Sequence, residues 1–293
     1  SEWLGKQYAM TLHVDPNFPL VWNKDMFSMA GLDADQGPVT LGEYEEYFRK
    51  LTRFNSEGLL EQFGHQLWDV YGGANTIYTW GWIFGGDFYD VEEMKITAAD
   101  PLIVKSLEFV RDYHQRYQPS VTAEIYFPGG KEAMRFATAG AVQHWRTQYP
   151  DFNMGASIMP YHEQSGSPNP SWIGGHAVGI LPDAQNPDLA WEFVHFITAT
   201  NEGTLAFANA SGNLPSYLPS PAFRPFLKDP ITTVYLDIAQ QARHVRPAVP
   251  VIADYGVMLD QAFSDVLGGA KQPLDALTFV QEQIQWKLDD ILK

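Results

Sequence analysis

Residues 5–33 read GKQYAMTLHVDPNFPLVWNKDMFSMAGLD. Tyr8–Val14 and Leu20–Asn23 carry β-branched and aromatic residues in short apolar runs, which predicts two strands on either side of a Pro-containing turn. Helix signals begin soon afterwards. Thr40-Leu41-Gly42-Glu43 is a capping box, and Leu41, Tyr44, Phe48 and Leu51 fall on one helical face behind it. Asp100-Pro101 and Asn186-Pro187 each place a capping side chain before a proline at the first helical position. Short apolar strands are predicted at Gly155–Pro160 and Ala177–Pro182, and a last helix from Pro273. Strand and helix signals alternate through most of the chain, so the fold class is α/β.

Composition narrows the function. The chain has 293 residues with 35 Asp and Glu against 19 Lys and Arg, a net charge of −16, which argues against a nucleic-acid partner. No cysteine is present, which excludes thiol nucleophiles, Cys-based zinc sites and iron–sulfur clusters. Aromatic residues make up 14%, with 9 Trp, 14 Tyr and 18 Phe, enough to fill a core and also to line a stacking site. Loops rich in Gly, Pro, Ser and Asn at 163–171 and 211–221 mark junctions, and the first is a candidate hinge.

Catalytic motifs fail on inspection. Gly175-His176-Ala177-Val178-Gly179 has the spacing of a nucleophile elbow with alanine in place of serine. His162-Glu163 lacks the second histidine of a zinc-protease helix. No catalytic residue, cofactor or metal ligand is assigned.

Several segments in order resemble one family. Gly5-Lys6-Gln7-Tyr8, Val21-Trp22-Asn23-Lys24-Asp25-Met26-Phe27 and Ala30-Gly31-Leu32-Asp33 resemble the "GKxYxxP … YNKDLF … AGLD" run of extracellular solute-binding proteins. Phe84-Gly85-Gly86-Asp87 resembles the family's Gly-Gly turn, and Gly130-Lys131-Glu132-Ala133-Met134 its "GKAAM" step. Ser171-Trp172-Ile173-Gly174-Gly175 resembles "SWLGG", and Ser211-Gly212-Asn213-Leu214-Pro215 resembles "GNLP". The branch is the maltose-binding-protein-like one that serves carbohydrate ABC importers.

The resemblance implies a periplasmic-binding-protein-like two-lobe fold, with a nearly complete second lobe and a partial first lobe. The second lobe would take 17–170 plus 229–293, and the first-lobe remnant 1–16 plus 171–228. In the family a long stretch precedes the "GKxYxxP" segment. The expectation is that apolar faces of the partial lobe are covered by another copy, by that segment, or by a rearranged fold.

Binding residues follow from what a sugar offers, apolar C–H faces and a rim of hydroxyls, which call for rings and polar side chains. Asn75, Tyr78, Trp80 and Trp82 precede the Gly-Gly turn. In a strand the three rings would share a face and in a helix they would spread, and core packing explains them equally well. Trp172, Gly174, Gly175 and His176 lie at the crossover between lobes, where a tight turn is the alternative. The family often carries Trp where His176 stands, and no partner set at ligand spacing surrounds His176 in sequence. Arg246 and Tyr255 fall in segments that resemble cleft-lining ones, and Asp15 and Asn17 sit where the chain enters the second lobe. The family's stacking Trp six residues after the "GKAAM" Met lands on Gly140, and Trp145 is out of register and expected to pack inside the lobe.

The implied function is capture of a carbohydrate, an oligosaccharide above all, in the cleft for delivery to ABC permease membrane subunits. The implied location is periplasmic or extracellular, with a lipoprotein-type anchor on the full-length form. A glycoside hydrolase fragment with an aromatic cleft, or a truncated form that no longer binds, are the alternatives.

Overall fold

The computed structural model describes residues 2–3, 5–68, 71–117, 126–165, 169–224 and 226–293. Of the expected 163–171 hinge, residues 166–168 lie outside this description.

Two sheets organise the molecule. The first has three strands in the order β10 (Met154–Ser157), β4 (Leu20–Asn23), β9 (Met134–Phe136), all antiparallel. Side chains alternate along β4, so Leu20 and Trp22 enter the larger core while Val21 enters a second, smaller one. The second sheet has the order β12 (Leu214–Pro215), β3 (Met10–Asn17), β11 (Trp172–Val178), β13 (His244–Val245). Here β3 pairs antiparallel with β12 and β11, and β13 runs parallel to β11. Three small hairpins complete the strands: β1 (Glu2–Trp3) with β2 (Lys6–Gln7), β5 (Arg53–Phe54) with β6 (Leu60–Gln62), and β7 (Tyr89–Asp90) with β8 (Lys95–Ile96).

The first strand differs from the expected Tyr8–Val14 in extent, spanning Met10–Asn17. It runs through Pro16, which pairs with Ile173, and ends at Asn17. Pro16 is tolerated because β12 pairs only with His13 and Val14, leaving the far end of β3 an edge on that side. Similarly, β11 begins at Trp172, so the paired glycines lie inside a strand and not in a turn.

Helices follow the capping signals. α1 (Lys24–Met29) is capped by the Asn23 side chain, which accepts from the Asp25 and Met26 amides. α2 (Leu41–Leu51) has the reciprocal Thr40–Glu43 capping box, and its buried residues are the four expected. α3 (Gly73–Phe84), α4 (Pro101–Tyr117), α9 (Ile252–Leu267) and α10 (Pro273–Ile291) pack together around the larger core. α5 (Ala139–Gln148) and α8 (Pro230–Gln241) cover the smaller core, where Trp145 packs on Phe127 with ring centroids 4.9 Å apart. α6 (Pro187–Ala199) and α7 (Asn201–Ser211) form a pair beside β3, ended by Gly212 in the left-handed conformation.

α3 is the central element. From Thr76 to Phe84 every residue is buried, so the helix is enclosed all round by α4, α9 and the strands. Each of its large side chains contributes about 2 kcal/mol of burial. Among the described residues no helix is long and apolar enough to cross a membrane.

Candidate functional site

The N-terminus of α3 and the outer face of α9 enclose a cavity of about 380 Å³. Its walls include Tyr71, Asn75, Tyr78, Arg246, Gly256 and Asp260. Geometry explains why these residues meet. Asn75 and Tyr78 are three apart on α3 and so share a face. Gly256 and Asp260 are four apart on α9 and face them. Asp260 ties the helices together, because its Oδ1 accepts from the Ala74 amide at 2.7 Å. That bond satisfies one of the free amides of α3, whose own N-cap Gly72 has no side chain to do so.

Tyr78 is the side chain that separates a binding role from a packing role. It is 1% exposed, and its hydroxyl has no hydrogen-bond partner among the described residues. Burial pushes its pKa above the ordinary tyrosine value, more than the nearby Arg246 charge lowers it, so the phenol keeps its proton as a donor. A buried tyrosine hydroxyl ordinarily finds a partner. Three of the other candidate rings obey that rule. Trp80 Nε1 donates to the Leu67 carbonyl at 3.1 Å, Trp172 Nε1 to Thr79 Oγ1 at 3.2 Å, and the Tyr255 hydroxyl to the Phe88 carbonyl at 3.2 Å. These three are internally satisfied core residues. Trp82, on the same helix, stacks on Tyr78 and His244, and its Nε1 is likewise without a partner.

Arg246 connects the cavity to the second sheet. Its guanidinium carbon lies 5.6 Å from the Trp172 ring centroid. Beside it, Asn17 and Gly174 are neighbours. A Cβ on Gly174 would sit 2.7 Å from Asn17 Nδ2 and 3.6 Å from Arg246 Nη2. Gly174 therefore makes room for two polar side chains. Gly175 has a different reason: φ is +131°, and a Cβ there would meet the His13 carbonyl oxygen at 2.2 Å. Its glycine serves strand approach.

The fold thus brings together Asn75, Tyr78 and Arg246 at the cavity, with Asn17, Gly174 and Trp172 adjoining through Arg246. It leaves Trp80 and Tyr255 in the core. Asp15 and His176 lie farther along β3 and β11, and the fold places His13 beside both, a partner set that sequence spacing does not reveal.

Three wall residues escape sequence reasoning. Tyr71 is a non-glycine residue at φ +54°, a sparsely populated conformation. Its ring stacks on Phe18 at 4.9 Å, and its hydroxyl accepts from the Thr138 amide at 3.3 Å, next to α5. Asp260 and Gly256 sit on a helix whose face toward α3 only tertiary structure reveals. Near the start of α5, Gly140 has open space, its closest neighbour across the gap being Asn213 Oδ1 at 3.9 Å from a built Cβ.

Comparison with known proteins agrees with this architecture. Residues 2–202 match the family model described as bacterial extracellular solute-binding protein. A probable amino-acid ABC transporter periplasmic-binding protein of Sinorhizobium fredii is 28% identical over 185 residues, covering 61% of this chain and 41% of that one. The chain thus spans about two fifths of that relative's length. Two solved structures share the fold. CpMnBP1 with mannotriose bound superposes with a TM-score of 0.82 at 22% identity, covering 97% of this chain and 74% of that one. UgpB from Mycobacterium tuberculosis in complex with glycerophosphocholine superposes at 0.75 and 22% identity, covering 100% and 73%. The fold is the two-lobe α/β architecture of these binding proteins, and the chain belongs to the bacterial extracellular solute-binding protein family.

Proposed function

We propose that the protein binds a carbohydrate, an oligosaccharide above all, outside the cytoplasm and presents it to an ABC permease. The carrying observation is that the buried Tyr78, whose hydroxyl has no partner among the described residues, lines the same cavity as Arg246, Asn75 and Asp260. A sugar hydroxyl pairs with such a phenol, and a sugar C–H face fits against the Tyr71 ring. The cavity volume lies within the range of small-molecule sites. The family assignment and the mannotriose-bound relative support the reading.

No chemistry is proposed. Asp260 is the one carboxylate among the described wall residues, and half of it is already engaged by the Ala74 amide. A glycosidase needs a carboxyl pair flanking the bond. Tryptophan fluorescence over an oligosaccharide panel tests the binding, and a reducing-end assay run on the same samples detects hydrolysis.

A second reading rests on Arg246. A guanidinium on the cavity wall also suits a phosphorylated polyol, and the UgpB relative holds glycerophosphocholine. Asp260 on the same wall opposes an anion, so the neutral sugar is favoured. Including glycerophosphodiesters in the panel separates the two.

The lobe division follows as part of the proposal: 17–170 plus 229–293 as second lobe, and 1–16 plus 171–228 as part of the first. The three-stranded sheet falls in the former range, and β12 and α6–α7 in the latter. On α6, Leu189, Phe193 and Phe196 share one helical face and are 65%, 60% and 39% exposed. That apolar side is what further first-lobe chain would cover.

A further inference from the structure

We propose that His13, Asp15 and His176 form a binding site for a single divalent transition-metal ion of the zinc type, separate from the sugar cavity. His13 and Asp15 are two apart on β3 and share one face of the sheet. His176 on β11 is the direct cross-strand partner of His13, so it stands on that same face. The residue opposite Asp15 is Gly174. With no side chain there, the Asp15 carboxylate is free to lean toward the two imidazoles.

The resulting cluster has the composition of a metal site. One nitrogen from each histidine and one Asp15 oxygen all lie within 4.8 Å of one another. His13 Nε2 and His176 Nδ1 are 2.8 Å apart. His13 Nδ1 lies 3.5 Å from Asp15 Oδ1. Ligand atoms around a tetrahedral zinc, at about 2.0–2.2 Å from the ion, stand roughly 3.4 Å apart. His13 meets His176 through Nε2 and Asp15 through Nδ1. The three therefore share one ion only if a side chain turns, and otherwise Asp15 orients a His13 that ligates beside His176.

A second observation points the same way. His13 is 4% exposed, held by Phe207 at a centroid distance of 5.8 Å, yet its Nδ1 makes no hydrogen bond among the described residues. A buried imidazole nitrogen facing a carboxylate without a bond is unfinished as a structural feature. Metal binding finishes it, either by ligating that nitrogen or by drawing Asp15 onto it as the orienting partner of a ligating histidine. His176 is exposed, which gives the ion an entry path and room for water in the remaining coordination positions.

The test is calorimetric titration of the EDTA-dialysed protein with zinc chloride, with the cobalt(II) absorption spectrum as a second readout of nitrogen ligation. One ion per chain and a raised melting temperature are expected. His176→Ala, at an exposed position, and Asp15→Asn should each lose affinity by about tenfold or more. His195→Ala on α6 should leave binding unchanged. Absence of saturable one-to-one binding overturns the proposal, as does wild-type affinity in both His176→Ala and Asp15→Asn. If His176→Ala fails to fold, Asp15→Asn alone decides.

Discussion

The Arg246 guanidinium lies over the ring of Trp172, 5.6 Å from its centroid, with the buried Asn17 side chain close by at Gly174. The contact links the chain that follows β13 to the first residue of β11. Trp172 is itself anchored through Nε1 to Thr79 on the central helix. The charged wall of the cavity is therefore held by the sheet on one side and by α3 on the other.

Arg246→Ala should weaken sugar binding by about 1.5–3 kcal/mol, since a charged donor and its ring contact are lost together. Arg246 is exposed, so the melting temperature should hardly move. Arg246→Lys keeps the charge but loses the planar fork and should recover only part of the affinity. Calorimetry and thermal melts on the three proteins check this.

Tyr78→Phe and Tyr255→Phe should behave in opposite ways. The Tyr78 hydroxyl has no partner among the described residues, so its removal should leave stability unchanged or slightly higher while costing about 1 kcal/mol of ligand affinity. The Tyr255 hydroxyl donates to the Phe88 carbonyl, so its removal should cost about 1–2 kcal/mol of stability and little affinity. Urea unfolding and calorimetry on both variants provide the comparison.

Gly256 is a helical glycine on the cavity wall whose added Cβ would meet no heavy atom within 4 Å. Gly256→Ala should stabilise α9 by up to about 1 kcal/mol. Gly256→Leu should fold equally well and occlude the cavity, abolishing binding. A melting temperature at or above wild type with no ligand heat is the expected pair of results.

Glu132 gives the pH dependence. It is fully buried, and burial pushes its carboxyl up to about 7, against the opposing charge of Arg135, the Gln66 amide bond and the Arg135 hydrogen bond. The folded state therefore binds its proton more tightly than the unfolded chain. Its contribution is complete below the ordinary glutamate value near ~4.3 and is lost as pH rises toward about 7. Asp229 acts with the opposite sign. Burial raises it, but bonds from Arg146 and Thr232 outweigh that and hold it at about 2. Its stabilisation is lost only in strong acid. Glu132 alone should lower the unfolding free energy by about 3 kcal/mol between its ordinary value and about 7. The imidazoles of His65, His114 and His244, held low by burial, act with the opposite sign. The difference between wild type and Glu132→Gln therefore isolates the Glu132 slope.

Much of the fold is legible in the sequence because local devices carry it. Thr40–Glu43, Asn186-Pro187 and Ser211-Gly212 announce helix ends through their own side chains or φ, and the structure places helix ends at each. The stretch Asn75–Trp82 resists reading for a physical reason. Buried all round, α3 has no polar face, so neither a period of two nor one of 3.6 stands out. The candidate site is legible in part. Asn75, Tyr78 and Arg246 are recognisable by chemistry and resemblance, but Gly256 and Asp260 reach the cavity only through the packing of α9 on α3, and Tyr71 through its left-handed backbone and its stacking on Phe18. Likewise His13 and His176 are 163 residues apart and meet only in the β3–β11 register.

The most direct test is calorimetric titration of the protein and of Gly256→Leu with an oligosaccharide panel, followed by chromatography of the recovered ligand. The account predicts one-to-one binding of a sugar by the wild-type chain, recovery of that sugar intact, and no binding by a folded Gly256→Leu. Release of shortened sugars, or undiminished binding in Gly256→Leu, would contradict it.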